Sequence, residues 1–364
     1  MLGLSSGLVF NNYPIGISQP SDVSNLLGWW DFTDASTMYT DAGSTNVSSN
    51  GDKIYRIDNK AYTQAGDEAI GQFLQQTTED DRPLFQASGG TNSKSHAFFN
   101  QTAGSESMYL FAHASVGNTV SGKLSTATYD NDTQTIFFVY HTTQRFPGRM
   151  SLFGLYGHDY DGGSGLFDKY KSSGELQYRV IQRSDTDGDG DTDNDDEYRP
   201  ELYMRRGALN GSTGPETRQW DPVGLGISLE ATTVKFRYDT VIVDGQTATT
   251  TSAPYLRPGR LLRNGDNSNG INSSFKTSVS NSDDSTDTSL NLGVDGTISP
   301  FSVQVGAFLN TITGAGFSTY VSPSSEFLAA TRVYEIIYYN KVLNQEEITG
   351  VQNYIENKYG EPPY

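Results

Sequence analysis

The most constraining stretch of this 364-residue chain is its end. Residues 331–340 concentrate Val333, Ile336, Ile337, Tyr338 and Tyr339, a β-branched and aromatic run suited to a pleated, buried surface. Asn344 then stands where a helix cap belongs, and Glu347, three residues on, supplies the other half of a capping box. Ile348, Val351 and Ile355 fall at i, i+3 and i+7, so one helical stripe is apolar. Gly360 suits the left-handed conformation that ends a helix, and Pro362 and Pro363 prevent a restart. The segment predicts one strand, one tight turn and one short helix.

Upstream, the strand signal recurs. Residues 53–57, 107–111, 133–141, 150–156, 175–182, 201–205, 233–243 and 302–309 all read as strands. Leu176, Tyr178 and Val180 alternate, as do Val234, Phe236 and Tyr238, and Val303, Val305, Ala307 and Leu309. Period two with turn-rich intervals predicts an antiparallel sandwich, and Asp244-Gly245 reads as a hairpin turn. The 22 Tyr and 18 Phe are enough to fill a sizeable two-sheet core. Neither heptads nor a fixed-period repeat occurs, which argues against a coiled-coil stalk or fibrous shaft.

The two ends carry a family resemblance. Glu335, Ile336, Ile337, Tyr339, Asn340 and Leu343, followed by Lys358, Tyr359 and Gly360, resemble the closing strand and helix of concanavalin A-like (LamG-like) domains. The segment from Trp29 and Trp30 through Asp31, Phe32, Thr33, Asp34, Ala35, Ser36 and Thr37 is similar to their opening strand. Arg82-Pro83, residues 97–100 and residues 135–139 fall between in the expected order. The resemblance runs from about Asn25 onward and leaves three internal stretches unmatched. It implies an all-β, two-sheet antiparallel jelly-roll sandwich with a short C-terminal helix. It also implies a single domain, because the first and last strands of such a sandwich pair. The expected division is an N-terminal arm over 1–24 and a sandwich over 25–364. Two insertions are expected within it, an acidic loop at about 158–222 and a polar loop at about 262–290. Leu2, Leu4, Leu8, Val9 and Phe10 make the arm apolar enough to pack on this domain or on a neighbour.

The formal charge of −18 disfavours nucleic acid and anionic lipid and favours cations and basic partner surfaces. With no cysteine there is no disulfide framework and no thiol nucleophile. No apolar run approaches the ~20 residues of a membrane span, and the N-terminus lacks the basic start of a signal peptide.

The sharpest chemical motif is the run from Asp185 to Asp196, which fits the calcium-loop pattern D-x-[DN]-x-[DN]-G at Asp185, Asp187, Asp189 and Gly190. By loop position, Asp185, Asp187 and Asp189 offer side-chain oxygens. Asp191 offers its carbonyl, Asp193 acts directly or through water, and Asp196 closes the site. An Asp in that last place resembles dockerin-type loops. Leu176 to Gln182 alternates like a strand and Pro200 blocks an exiting helix, so a strand–loop–strand hairpin stapled by structural Ca²⁺ is expected, with no EF-hand helix pair.

The family also includes glucanases with a Glu-x-Asp-x-x-Glu strand, a carboxylate pair suited to retaining hydrolysis. Here Ile337 and Asn340 occupy the places after Glu335 where the other carboxylates would fall, which makes Glu335 structural. His96, His113, His141 and His158 form no triad-like context. Trp220, with Asp221 beside it, is the best loop aromatic for stacking on a sugar ring. Trp29 and Trp30 are poorer candidates, since one of two adjacent strand residues must face the core.

The arrangement is similar to that of bacteriophage virion proteins. The expectation is therefore a non-enzymatic virion structural protein, decorating the capsid or associated with the tail and assembled in the bacterial host cytoplasm. It would contact other virion proteins and further copies of itself, without binding nucleic acid or inserting into a membrane. The alternative is a carbohydrate-binding adhesin or receptor-binding module that takes a cell-surface glycan. A glycoside hydrolase ranks third, because the paired carboxylates are missing.

Overall fold

The computed structural model of the chain describes residues 16–65, 71–100, 108–113, 129–130, 134–142, 149–158, 174–182, 198–206, 216–221, 235–243, 256–257, 259–263, 275–279, 297–306, 309–311, 322–323 and 330–360. The early strands are β1 (Leu26–Asp31), β2 (Met38–Tyr39), β3 (Arg56–Asp58), β4 (Phe73–Gln75), β5 (Leu84–Gln86), β6 (His96–Phe99) and β7 (Leu110–His113), with the single helical turn α1 (Tyr62–Ala65) between β3 and β4. Next come β8 (Tyr129–Asp130), β9 (Gln134–Thr142), β10 (Arg149–His158), β11 (Gly174–Gln182), β12 (Tyr198–Arg206), β13 (Glu216–Asp221) and β14 (Lys235–Val243). The chain continues through β15 (Leu256–Arg257), β16 (Gly259–Arg263), β17 (Phe275–Val279), β18 (Thr297–Val305), β19 (Leu309–Thr311), β20 (Ser322–Pro323) and β21 (Thr331–Tyr339), and ends in helix α2 (Gln345–Tyr359).

These strands make a two-sheet antiparallel β-sandwich with one C-terminal helix, as the sequence predicts. The smaller sheet has seven strands in the order β16-β14-β9-β21-β6-β5, with β1 also paired to β21. The larger has twelve, β15-β17-β13-β12-β11-β10-β18-β7-β4-β3-β2, with β8 beside β18. The first and last long strands pair as expected, with Trp29 opposite Ile337 and Asp31 opposite Glu335.

Strand β21 explains its own continuous hydrophobicity. Ile336 and Tyr338 belong to the layer between the sheets with Trp30, Phe32, Phe99, Phe138, Phe153 and Val303. Ile337 and Tyr339 belong to a second layer under α2 with Trp29, Phe137, Val351 and Ile355. A strand covered on both faces has no solvent side to mark with polar residues. The two tryptophans divide accordingly, Trp30 between the sheets and Trp29 beneath the helix, and both are buried.

Helix α2 forms as read. The Asn344 side chain accepts from the Glu347 backbone N–H at 3.0 Å, and Glu347 returns the bond to the Asn344 N–H at 3.0 Å. Ile348, Val351 and Ile355 are fully buried, each contributing about 1.5–3 kcal/mol of transfer free energy. Gly360 ends the helix at φ +83°. The described part of the N-terminal arm packs on this same helix. Ile17 fills the notch left by Gly350, where a Cβ would come within 2.6 Å of its side chain, and Tyr339 donates its hydroxyl to the Pro20 carbonyl at 2.8 Å.

A buried ionic cluster joins β1, β21 and α2. Trp29 Nε1–H donates to Glu335 Oε1 at 2.5 Å, and the Tyr354 and Tyr359 hydroxyls hydrogen-bond Oε1 at 2.9 Å and Oε2 at 2.7 Å. Lys358 Nζ lies 3.0 Å from Glu335 and 2.8 Å from Asp31, whose carboxylate also meets Lys60 at 3.1 Å. Burial and the adjacent Asp31 charge push the Glu335 carboxyl upward. Burial acts on Asp31 too, but the charges of Lys358 and Lys60 outweigh it and hold that carboxyl below its ordinary value. The expected structural role of Glu335 follows from these contacts.

The structure differs from or adds to several local readings. Val243 pairs with Gly259, and Asp244-Gly245, read as a hairpin turn, lies outside the described residues. Strand β18 starts earlier and stops at Val305, because Gly306 turns the chain at φ +91° against Phe99. Within the polar stretch 264–288, residues Phe275–Val279 form β17 and pair with β13. Strands β11 to β13 fall within 158–222 and extend the larger sheet.

Candidate functional site

Because side chains alternate across a strand, residues paired opposite one another form rows that share a face. The inner row of the larger sheet includes Leu110, Val305 and Phe153. All three are fully buried between the sheets. The adjacent outer row is different in kind. It joins Tyr39, Arg56, Gln75, Phe111, Gln304, Gly154, Gln177, Tyr203, Gln219 and Ser278 through the pairing of ten successive strands. Among the side chains described, two glutamines, two aromatics and an arginine stand in this line: Gln75, Gln304, Tyr39, Phe111 and Arg56.

The end of this row on β2, β3, β4 and β7 is built in detail. Tyr39, Arg56, Asp58, Phe73, Gln75, Tyr109 and Phe111 are all half-buried. The Arg56 guanidinium lies 3.9 Å over the Phe73 ring and 5.5 Å from the Tyr39 ring. Asp58 orients it, with Arg56 Nε–H donating at 2.6 Å and Nη2 also at 2.6 Å from the same oxygen. The remaining amine group donates to the Ala42 carbonyl at 3.1 Å. Tyr39 donates to Asp58 at 3.2 Å, and burial together with the Asp58 charge pushes its phenol upward, against the pull of Arg56. Tyr109 and Phe111 lie side by side at 5.5 Å between centroids. On β18, Gln304 is fully buried, and neither of its amide atoms finds a hydrogen-bond partner among the described residues.

Aromatic faces half open to solvent, framed by planar carboxylate, guanidinium and amide groups, can do two things at once. They offer apolar area to a ligand face and directed hydrogen bonds to its rim. Fixing Arg56 between Phe73 and Asp58 lowers the entropy that such a side chain loses on binding. Among the described residues no group of three or more metal-ligating side chains occurs.

The residues singled out from sequence are distributed as follows. Asp185, Asp187, Asp189, Asp191, Asp193 and Asp196 lie outside the described residues. Their flanking strands do pair as a hairpin, from Gly174 opposite Arg206 to Gln182 opposite Tyr198, with Pro200 inside β12. Trp220 and Asp221 are not in a loop but in β13, a strand with partners on both edges. Trp220 pairs with Leu202 and with Thr277, and Asp221 with Lys276. The outer row itself was not read from sequence. A signal existed in Phe73 and Gln75 and in Tyr109 and Phe111, each pair spaced for one face, but the register that aligns them is non-local.

No known protein family matches the sequence, and no curated protein does. Solved structures with a weak likeness to it exist. A Trypanosoma rangeli sialidase, in complex with 2,3-difluorosialic acid, is 11% identical over 92% of this chain and 33% of its own, at a TM-score of 0.38. A leech intramolecular trans-sialidase is 12% identical over 65% of this chain and 26% of its own, at 0.30. The CBM40 of a Ruminococcus gnavus IT-sialidase, bound to α2,3-sialyllactose, is 13% identical over 62% of this chain and 91% of its own, at 0.28. This chain therefore spans about a third or less of the two sialidases. The expectation that the protein is no enzyme is corrected on this finding, since sialidases stand among the similar structures. The missing Glu-x-Asp-x-x-Glu spacing spoke only to one kind of glycoside chemistry. Likeness at these TM-scores brings no activity to this chain in its place.

Proposed function

We propose that this chain is a carbohydrate-binding module whose ligand lies along the outer face of the larger sheet. One observation carries the reading: Tyr39, Arg56, Asp58, Phe73, Gln75 and Phe111 share one half-open sheet face, with aromatic rings and planar hydrogen-bonding groups interleaved. A pyranose ring has the complementary design, an apolar C–H face and a hydroxyl rim. The test is an array of bacterial cell-surface glycans probed with the full chain. Saturable binding to at least one of them supports the reading, and an empty array rejects it.

The setting we propose is a bacteriophage particle, on the capsid or the tail. There the module would contact other virion proteins and copies of itself while presenting the sheet face to a host glycan. Support for this comes from the sequence resemblance at the two ends of the chain. Antibody labelling of purified particles tests it, and particles without label would remove it.

We further propose that Asp185, Asp187, Asp189, Asp191, Asp193 and Asp196 hold a structural Ca²⁺ in the connection between β11 and β12. What supports it is the spacing of six Asp around Gly190 and a hairpin whose last pair, Gln182 and Tyr198, brings the ends of that connection together. So many carboxylates repel one another unless a cation neutralises them. Calcium should raise the melting temperature and a chelator should lower it. Equal melting temperatures in the two conditions would reject the site.

A further inference from the structure

The ionic cluster under α2 holds an amine, a carboxyl electrophile and a buried acid in mutual contact. Lys358 Nζ is 2.8 Å from Asp31 Oδ2 and 3.0 Å from Glu335 Oε2. Asp31 and Glu335 are directly opposed cross-strand partners. Trp29, Tyr354 and Tyr359 surround the group, with Lys358 Nζ at 5.4 Å and 5.2 Å from the two tyrosine ring centres. The Glu335 side chain is fully buried and that of Asp31 is 5% exposed.

We propose that Lys358 and Asp31 condense to an intramolecular isopeptide bond, with Glu335 as the acid–base group. A proton passes from the Lys358 ammonium to the Asp31 carboxylate, leaving a neutral amine and a carboxylic acid. Nζ attacks Cγ of Asp31 and the N–C bond forms. Glu335 takes a proton from the nitrogen through one oxygen and returns one to the departing hydroxyl. The C–O bond breaks and one water leaves. Three ammonium hydrogens are thus accounted for, one on the amide nitrogen and two in the water, and no oxidant or reductant is involved.

Three physical arguments favour the step. Contact geometry replaces a bimolecular encounter, and well-oriented intramolecular reactions reach effective concentrations on the order of 10⁵–10⁸ M. Burying an ion pair carries a large desolvation cost, which a neutral amide removes. The charges also suit it. Asp31, Asp34 and Glu335 face Lys60 and Lys358, so three acids meet two cations. Burial and the Asp31 charge push the Glu335 carboxyl upward, the direction that suits a proton-passing group. After condensation Lys60 retains Asp34, 3.0 Å away. Lys60 also touches Asp31 but makes no contact with Glu335 among its hydrogen bonds, so Lys358 is the nucleophile. The bond would tie the first strand of the sandwich to its last helix.

The experiment is the mass of the purified full chain under denaturing conditions, followed by peptide mapping. The expected result is a deficit of one water relative to the sequence, with the peptides holding Asp31 and Lys358 recovered as one branched species. Glu335→Gln should restore the full mass while the far-ultraviolet spectrum stays that of a β protein. A wild-type mass equal to the sequence mass overturns the proposal, whatever the variant does. So does a water deficit that maps to one linear peptide, such as those with Asp-Gly at 161–162 or 244–245.

Discussion

Trp29 and Glu335 lie on the paired strands β1 and β21, and the indole N–H donates to the buried carboxyl at 2.5 Å. The bond ties the opening strand of the chain to its closing one beneath α2. Trp29→Phe keeps most of the ring volume and removes this donor. It should cost about 1–3 kcal/mol, the range for leaving a buried acceptor short of a partner. Urea unfolding of the two proteins measures it, and equal midpoints would mean that the bond adds nothing.

Removing the helix cap tests the most local part of the fold. Asn344→Ala loses both the side-chain acceptor for Glu347 N–H and the geometry of the reciprocal bond. A loss of about 1 kcal/mol is expected. Restoration by Asn344→Asp or Asn344→Ser should return most of it, and thermal unfolding of the three variants is the readout.

The legibility of the chain follows the range of the interaction. Asn344, Glu347 and Gly360 act within one helix, and their roles could be read directly. Pairing of β1 with β21 followed from two family-like ends, although almost the whole chain lies between them. Trp220 reads as a loop residue because Thr217, Gln219 and Asp221 with Pro222 beyond look like a loop. Strand status comes from partners at Leu202 and Thr277, far away in sequence. Likewise nothing local reveals that Arg56, Gln75, Phe111 and Gln304 share a row. That is a statement about register across five strands, including β2 with Tyr39, and register is set by the whole sheet.

Docking of the arm can be tested with a pair of substitutions. Gly350→Ala drives a methyl group into Ile17 at 2.6 Å, so overpacking should destabilise by about 1–3 kcal/mol. In an Ile17→Ala background the same change should cost much less, because the space is already vacated. A double-mutant cycle read by denaturant unfolding gives the coupling. Additive effects would mean that Ile17 does not pack against α2 in solution.

Acid should weaken the fold in two separable ranges. His96 and His141 are both held down to about 4, first by burial and then by the Arg332 charge, with His96 adding to the effect at His141. Neither ring nitrogen of His141 has a hydrogen-bond partner among the described residues. A depressed folded value means that the unfolded chain binds the proton first. Stability is therefore full above the ordinary histidine value of about 6.5 and falls as pH drops from there through 4. Asp34, also held low, adds a second loss below the ordinary carboxylate range. Glu335, pushed upward, acts with the opposite sign. Melting temperature from pH 8 to pH 4 should thus slope downward, and His96→Gln with His141→Gln should flatten the upper part. An unchanged slope in the double variant would contradict this assignment.

The central claim is that the outer face of the larger sheet binds glycan. Its most direct test is titration calorimetry with the glycan selected on the array, comparing the wild type with Phe73→Ala and Phe111→Ala. Each variant removes an aromatic face from the row without touching the layers between the sheets or under α2. The account predicts a loss of affinity of at least about tenfold, roughly 1.4 kcal/mol, with the melting temperature little changed. Wild-type affinity in both variants would contradict it and move the binding site off this face.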